Sequence, residues 1–60
     1  MRVLTLNELM RLTRVELYDL MVQMVAVLRI YPEGSIERQN AITNIRNIVR
    51  ILAGREMARS

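Results

Sequence analysis

Residue types that carry out catalysis are scarce in this 60-residue sequence. It contains no Cys and no His, and its serines are Ser35 and Ser60. Acid–base and nucleophilic chemistry depend on such groups or on converging carboxylates. Glu16 and Asp19 are three residues apart and could together contact a cation, but two carboxylates on a helix face are usually only solvated. We therefore expect no catalytic residues, no metal site, no cofactor and no small-molecule substrate, and a protein that is not an enzyme.

A polar face without acidic residues is the first candidate for binding chemistry. At helical spacing it contains Gln39, Thr43, Arg46, Asn47 and Arg50. Guanidinium and amide groups can contact phosphates and base edges. Residues 35–60 carry five Arg against two acidic residues, so this half of the chain accounts for the whole net charge of +3. This face, called the Arg face below, is predicted to contact a partner, which is either another protein or a nucleic acid.

An apolar line on the preceding helical segment is the second candidate surface. It consists of Val15, Tyr18, Val22 and Val25, and is called the α2 seam below. Another apolar line of the same segment, within residues 17–31, falls in an arc about 120° wide and is expected to form the core. One partner helix cannot cover both lines. Either a second copy of the chain or the folded-back N-terminal segment, with Leu6, Leu9 and Met10, must therefore cover the seam.

The N-terminal residues contain two predicted helix starts. The pattern Leu-Thr-x-x-Glu-Leu occurs at residues 4–9 and again at residues 12–17. In each copy the Thr and the Glu have the spacing of a capping box, in which their side chains bind the free backbone N–H groups of a helix start. This predicts a short helix over about residues 6–12 and a restart at Thr13. A single continuous helix that passes through Thr13 is the alternative.

Two long helices are predicted after this restart. The first spans about residues 14–30, because Pro32 disfavours a helical conformation at Tyr31. Ser35 is expected to cap the second, which spans about residues 36–53. Helices of similar length that are joined by a turn of about five residues lie antiparallel. The predicted fold class is therefore all-α, an antiparallel helical hairpin preceded by a short N-terminal helix.

The last helix combines an apolar arc with a glycine stop. The predicted arc consists of Ala41, Ile42, Ile45, Ile48, Val49 and Leu52. Gly54 is suited to the left-handed position that follows the end of a helix. Residues 54–60 are therefore predicted to be a frayed tail.

Size and composition predict self-association within a single domain of residues 1–60. A chain this short buries a small fraction of its surface, and without Cys it has no disulfides to compensate. We expect a homodimer or a higher oligomer that forms a helical bundle. The lack of Cys fits the reducing cytoplasm. No membrane-spanning helix is expected, because the longest apolar stretch, residues 20–28, is shorter than the roughly 20 residues that span a bilayer. No association with a membrane surface is expected either, because the most apolar helix has an acidic polar face, which anionic lipids do not attract.

Parts of the pattern resemble known proteins. The Leu-Thr-x-x-Glu-Leu repeat, the Pro-Glu-Gly-Ser turn at residues 32–35 and the Asn-Ile-Val-Arg run at residues 47–50 resemble short uncharacterised bacterial helical-hairpin proteins, which implies a bacterial source. In shape only, the hairpin is similar to the plasmid regulator Rop, in which two hairpins form a four-helix bundle. None of the RNA-contacting residues of Rop maps onto this sequence. The predicted function is a self-associating adaptor or regulator that binds another protein, with a nucleic-acid-binding regulator as the alternative.

Overall fold

A computed structural model describes residues 2–59, which contain three α-helices and no strand. Helix α1 spans Leu6–Met10, α2 spans Arg14–Ile30 and α3 spans Ile36–Arg59. The all-α fold class is confirmed over this range. Helix α2 has the bounds predicted from the sequence, whereas α1 ends two residues before the predicted position 12.

Capping boxes begin the first two helices. The Thr5 hydroxyl accepts a hydrogen bond from the Glu8 N–H at 3.1 Å, and the Glu8 carboxylate accepts one from the Thr5 N–H at 3.1 Å. Thr13 and Glu16 repeat this arrangement at 3.1 and 2.9 Å. Residues 11–13 are not helical. Because Thr13 begins a new helix, the alternative of one continuous helix is wrong.

The connection between α2 and α3 turns at Gly34. Tyr31 has an extended backbone, as expected for the residue before a proline. Gly34 has a φ of +87°, which only glycine adopts without strain. The Ser35 hydroxyl then accepts a hydrogen bond from the Arg38 N–H at 3.2 Å. Ser35 therefore caps the start of α3.

The end predicted for α3 is wrong. Gly54 has no left-handed conformation, and the helix continues through it to Arg59; Ser60, the last residue of the predicted tail, lies outside the described residues. The reason is tertiary contact. The Arg55 guanidinium donates to the Met10 and Leu12 carbonyls at 3.0 and 2.8 Å. Such contacts outweigh the cost of about 1 kcal/mol of a glycine inside a helix.

Gly54→Ala and Gly34→Ala are expected to change stability in opposite directions. A methyl group at Gly54 meets no heavy atom within 4 Å, so Gly54→Ala should raise the free energy of unfolding by about 0.5–1 kcal/mol. Gly34→Ala also has space, but the positive φ of Gly34 is unfavourable for alanine and should lower it by about 1–2 kcal/mol. Urea unfolding followed by circular dichroism measures both. A loss of stability in both variants would contradict a helical Gly54.

The core lies where the three helices meet. Leu9 of α1, Leu17 of α2, and Ile48 and Leu52 of α3 form its central cluster. Around it pack Leu4, Leu12, Leu20, Met21 and Ile51. Each helix thus contributes at least one buried leucine or isoleucine, so the short α1 is part of the core rather than an appendage.

Contacts between α2 and α3 occur in opposite chain order. Arg14, at the start of α2, forms an ion pair with Glu56 near the end of α3 at 3.2 Å. Arg38, near the start of α3, donates to the carbonyl of Leu28 near the end of α2. These two contacts show which ends of the helices lie side by side.

Residues 2–12 form an arm that packs along α3, and this segment is called the N-terminal arm below. The Asn44 side chain accepts a hydrogen bond from the Leu4 N–H at 2.8 Å and donates to the Arg2 carbonyl at 3.2 Å. Arg55 holds the other end of the arm through the two carbonyls described above. From position 44 to position 55 the helix rises by about 16 Å. The arm is therefore attached to α3 at both of its ends.

The predicted apolar arc of α3 is correct at five of its six positions and needs two corrections. Ala41, Ile48 and Leu52 are buried, and Ile42 and Ile45 are half-buried. Val49 is 49% exposed, because it lies on the side of α3 away from the N-terminal arm. Asn44, which was not predicted in the core, is fully buried.

Candidate functional site

The α2 seam is exposed along its whole length. Val15 and Val22 are each 69% exposed, and Tyr18 and Val25 are 42% and 40% exposed. At 100° per residue the four seam residues lie about 80–160° around α2 from the buried Leu17. A contiguous apolar surface on a small protein usually marks an interaction site.

The N-terminal arm does not cover the α2 seam. Helix α1 packs mainly against α3. Leu9 is buried in the core cluster, whereas Leu6 and Met10 are 43% and 62% exposed. The predicted alternative, in which these three residues cover the seam, is therefore wrong. Within the described chain the seam remains accessible.

A groove of about 430 Å³ follows the seam. It is lined by Tyr18, Met21, Val22, Val25, Ala26 and Arg29. The first four of these residues have the spacing of a hole that accepts one side chain of a packed helix, and the last four form a second such hole. The Arg14 guanidinium carbon lies 5.8 Å from the centre of the Tyr18 ring, at one end of the groove. The shape and spacing of the groove suit a partner helix.

The Arg face of α3 is accessible in the structure. Gln39, Thr43, Arg46 and Arg50 are exposed, and Asn47 is half-buried. The Thr43 hydroxyl donates to the Gln39 carbonyl at 3.1 Å, so this hydroxyl is already used within the helix. Arg46 and Arg50 form no ion pair within residues 2–59. The two guanidinium groups, one helical turn apart, are the part of this face best placed to bind a partner.

Four other arginines are engaged within the chain. Arg2 and Arg14 pair with carboxylates, and Arg38 and Arg55 donate to backbone carbonyls. Sequence spacing does not reveal these contacts, because the acceptor lies 6 to 45 residues away. Part of the high arginine content therefore stabilises the fold and is not available to bind a partner.

Asn44 is the main structural residue that the sequence analysis missed. It lies three residues after Ala41 and four before Ile48, which places it on the apolar stripe of α3. A single Asn on an apolar stripe indicates a buried amide, and a buried amide needs hydrogen-bond partners. In the structure those partners are the backbone of the N-terminal arm and the Met24 sulfur at 3.7 Å.

Comparisons with known proteins give no assignment. No family model, curated protein or solved structure matches this chain.

Across residues 2–59, no group of three or more acidic, His or Cys side chains is arranged to hold a metal ion. Over that same range, none of the helices is both long enough and apolar enough to cross a bilayer.

Hydrogen bonds at the starts of α1 and α2 stabilise charged carboxylates. Arg2 donates to Glu8 at 2.9 Å, and this bond, together with the one from the Thr5 N–H, lowers the pKa of Glu8 to about 2. The hydrogen bonds from Thr13 lower the pKa of Glu16 in the same way. Both carboxylates are therefore ionised at neutral pH.

Acidification is expected to loosen the N-terminal arm. The folded pKa of Glu8 lies below its ordinary value of 4.5, so its contribution to stability is complete above about pH 4.5 and is lost as the pH falls towards 2. Glu8→Gln should reduce the dependence of thermal stability on pH in this window, whereas Glu33→Gln, in the turn, is the control. An NMR titration of the Glu8 carboxyl measures the pKa directly. A midpoint near 4.5 would contradict the ion pair with Arg2.

Proposed function

We propose that this chain is a non-enzymatic adaptor or regulator that associates with itself and binds another protein. The observation that carries the proposal is the exposure of all four α2-seam residues after the N-terminal arm has packed elsewhere. The opposite order of the α2–α3 contacts supports an antiparallel hairpin. Two such hairpins joined through their seams would form a helical bundle. The absence of Cys supports a place in the cytoplasm.

Burial of the seam supplies stability that a chain of 60 residues needs. Complete burial of a valine or leucine side chain is worth about 1.5–3 kcal/mol, and Val15 and Val22 are each 69% exposed. In a two-fold symmetric dimer the same patch is buried on both copies. Each seam residue therefore contributes twice to association.

Sedimentation equilibrium over a wide range of protein concentration tests the proposed self-association. We expect a mass at least twice the 7.0 kDa of one chain, falling towards that value on dilution. A mass of 7.0 kDa at every concentration would overturn the proposal.

The Arg face supports a second role, which is to hold the partner. Guanidinium groups form planar, two-point contacts with carboxylates and phosphates. Arg46 and Arg50 each lie about 160° around α3 from the buried Ile48 at 100° per residue, so a dimer that buries the α2 seam would keep their guanidinium groups accessible. An acidic protein surface fits this face. A nucleic acid is the second candidate partner, favoured by the accessible pair of guanidinium groups beside Asn47.

Binding of a mixed-sequence DNA or RNA duplex at low and at physiological salt distinguishes these partners. Phosphate contacts release counterions, so a nucleic-acid complex should weaken steeply as salt is added. An oligomer that binds neither duplex at low salt would support the proposal that the partner is a protein. Association with a duplex would favour the nucleic-acid role.

Arg46→Ala combined with Arg50→Ala is expected to leave the free energy of unfolding within about 0.5 kcal/mol of the wild type, because both side chains are exposed. The same variant should lose partner binding. Arg11→Ala removes one such charge from an exposed position outside both the Arg face and the α2 groove, and it is the control for each of the single variants Arg46→Ala and Arg50→Ala. A large loss of stability in the Arg46 and Arg50 variant would mean that these arginines support the fold.

A further inference from the structure

We infer that two copies of this chain meet through a surface that is two helices wide, in which the α2 seam continues onto α3 through Ile42, Ile45 and Val49. This inference rests on the proposed self-association and specifies its interface. The occupant of the surface is a second copy of the chain, related by a two-fold axis.

Helix α3 has two adjacent stripes with different neighbours. One stripe faces the N-terminal arm and consists of Asn44, Ile48, Ile51 and Arg55. The other repeats at three- and four-residue spacing through Arg38, Ile42, Ile45 and Val49, and Glu56 lies on the same line two helical turns further on. The ends of the second stripe reach α2, through Arg38 and Glu56. Its middle residues therefore lie beside α2, on the side that the arm leaves uncovered.

The matching stripe of α2 is set by the same two contacts. Arg14, which pairs with Glu56, begins a series at helical spacing that continues through Tyr18, Met21, Val25 and Leu28. The Leu28 carbonyl accepts the hydrogen bond from Arg38. The two stripes thus run side by side between these links. The open face is the α2 seam together with Met21 and Leu28 of this stripe and Ile42, Ile45 and Val49 of α3.

Exposure shows that the open face lacks a cover. Val49 is 49% exposed, although its position in the α3 pattern predicts a core residue. Tyr18 and Val25 are 42% and 40% exposed, and Ile42 and Ile45 are only half-buried. On the other side of the hairpin, the arm buries Ile48 completely. Val49 and Ile48 are adjacent in sequence, and their difference in exposed fraction shows which side of the hairpin is not covered by the arm.

Area favours an interface wider than the α2 seam. Each partner of a standard stable interface buries about 800 Å². An entire aromatic side chain supplies about 150–250 Å², and Tyr18 is only 42% exposed. The exposed parts of the four seam side chains together supply less than the roughly 800 Å² that each partner of such an interface buries. Extension onto α3 doubles the width of the patch to that of two helices, which is the geometry of a four-helix bundle.

Charge favours a second copy over an acidic or basic partner at this face. Its only carboxylate is that of Glu56, which is paired with Arg14. Glu16 and Asp19 lie on other sides of α2, about 100° or more from Met21 at 100° per residue. Arg14 and Arg29 lie at the two ends of the groove, so the charges are at the ends of the open face, and its centre around Met21 and Ile45 is apolar. A second open face, equally apolar and equally long, is complementary to it.

Val49→Glu tests the inference, with Ile30→Glu as the matched control. Ile30 is 74% exposed, more than Val49, but lies on the α2 stripe of Asp19 and Gln23. Val49→Glu should raise the Kd of self-association at least about 100-fold, because a carboxylate enters an apolar interface once from each copy. Ile30→Glu should change it less than about threefold. Sedimentation equilibrium measures both, and circular dichroism confirms that each variant is folded.

Each outcome has one interpretation. A wild-type dimer whose Kd responds equally weakly to both variants would overturn the two-helix surface while leaving association through the α2 seam in place. A wild-type monomer would overturn the proposed self-association and this inference together. If Val49→Glu does not fold, Val49→Ala should still weaken the dimer about tenfold relative to Ile30→Ala. Equal effects of the two alanine variants would likewise overturn the inference.

Discussion

Leu9→Ala is expected to detach the N-terminal arm from the core and to lower the free energy of unfolding by about 2–5 kcal/mol. Leu9 is fully buried and is the residue of α1 that enters the central cluster with Leu17 and Ile48. A chain of 60 residues has a total stability on the order of 3–9 kcal/mol. The expected loss is therefore a large share of the total.

Leu6→Ala makes the same chemical change in the same helix and is the control. Leu6 is 43% exposed, so its truncation should cost no more than about 1 kcal/mol. Urea unfolding followed by circular dichroism gives both values. Amide exchange at Leu4, whose N–H donates to Asn44, should accelerate in the Leu9 variant even under conditions where α2 and α3 remain folded. Equal losses in the two variants would contradict a core role for α1.

The second large effect is expected from Tyr18→Glu combined with Val22→Glu. Both side chains lie on the α2 seam, at exposed fractions of 42% and 69%. In a symmetric dimer the double variant would place four carboxylates in one apolar interface, which desolvation makes strongly unfavourable. We expect monomers, or unfolded chain if the isolated hairpin is not stable alone. Sedimentation equilibrium together with circular dichroism separates these two results.

Ile30→Glu combined with Ile36→Glu is the control for the seam. These residues are 74% and 67% exposed and lie outside the seam. The control adds the same charge and removes similar apolar surface, so it should keep the native oligomer. If the Tyr18 and Val22 variant also keeps the native oligomer and its stability, the seam is not the surface of association.

Local chemistry made the helix starts and the turn predictable. Capping boxes and the residue before a proline act within three or four positions of the chain, so the sequence alone determines where α1 and α2 begin and where α2 ends. Tyr31, placed with the core arc, is 39% exposed because α2 has already ended there. The predictable part of the fold is therefore the part that depends on neighbours in sequence.

Contacts between distant residues were not predictable. Asn44 forms hydrogen bonds with residues about 40 positions away, and Arg55 forms them with carbonyls about 45 positions away. The extension of α3 through Gly54 follows from such contacts, which override the local preference of glycine for a helix end. The candidate surfaces were identified from periodicity. Which side of the hairpin the arm covers, and hence why Val49 stays exposed, required the tertiary structure.

Asn44 also explains why the arm packs in one position. Its amide joins a backbone N–H and a backbone carbonyl two residues apart. A shift of the arm by one residue would leave a buried amide without its partners, which costs about 1–3 kcal/mol. Apolar contacts alone do not impose such a penalty. Asn44 therefore sets the register of the arm on α3, and the arm in turn leaves the α2 seam uncovered.

An isotope-filtered NOE experiment tests the central claim most directly, namely that a second copy of the chain covers the α2 seam. Labelled and unlabelled chains are mixed, unfolded together and refolded, so that only contacts between copies give cross-peaks. We predict intermolecular cross-peaks from the Val22 methyl groups and the Tyr18 ring. Cross-peaks confined to other exposed residues such as Ile36, or no intermolecular cross-peaks at concentrations where the chain is folded, would contradict the claim.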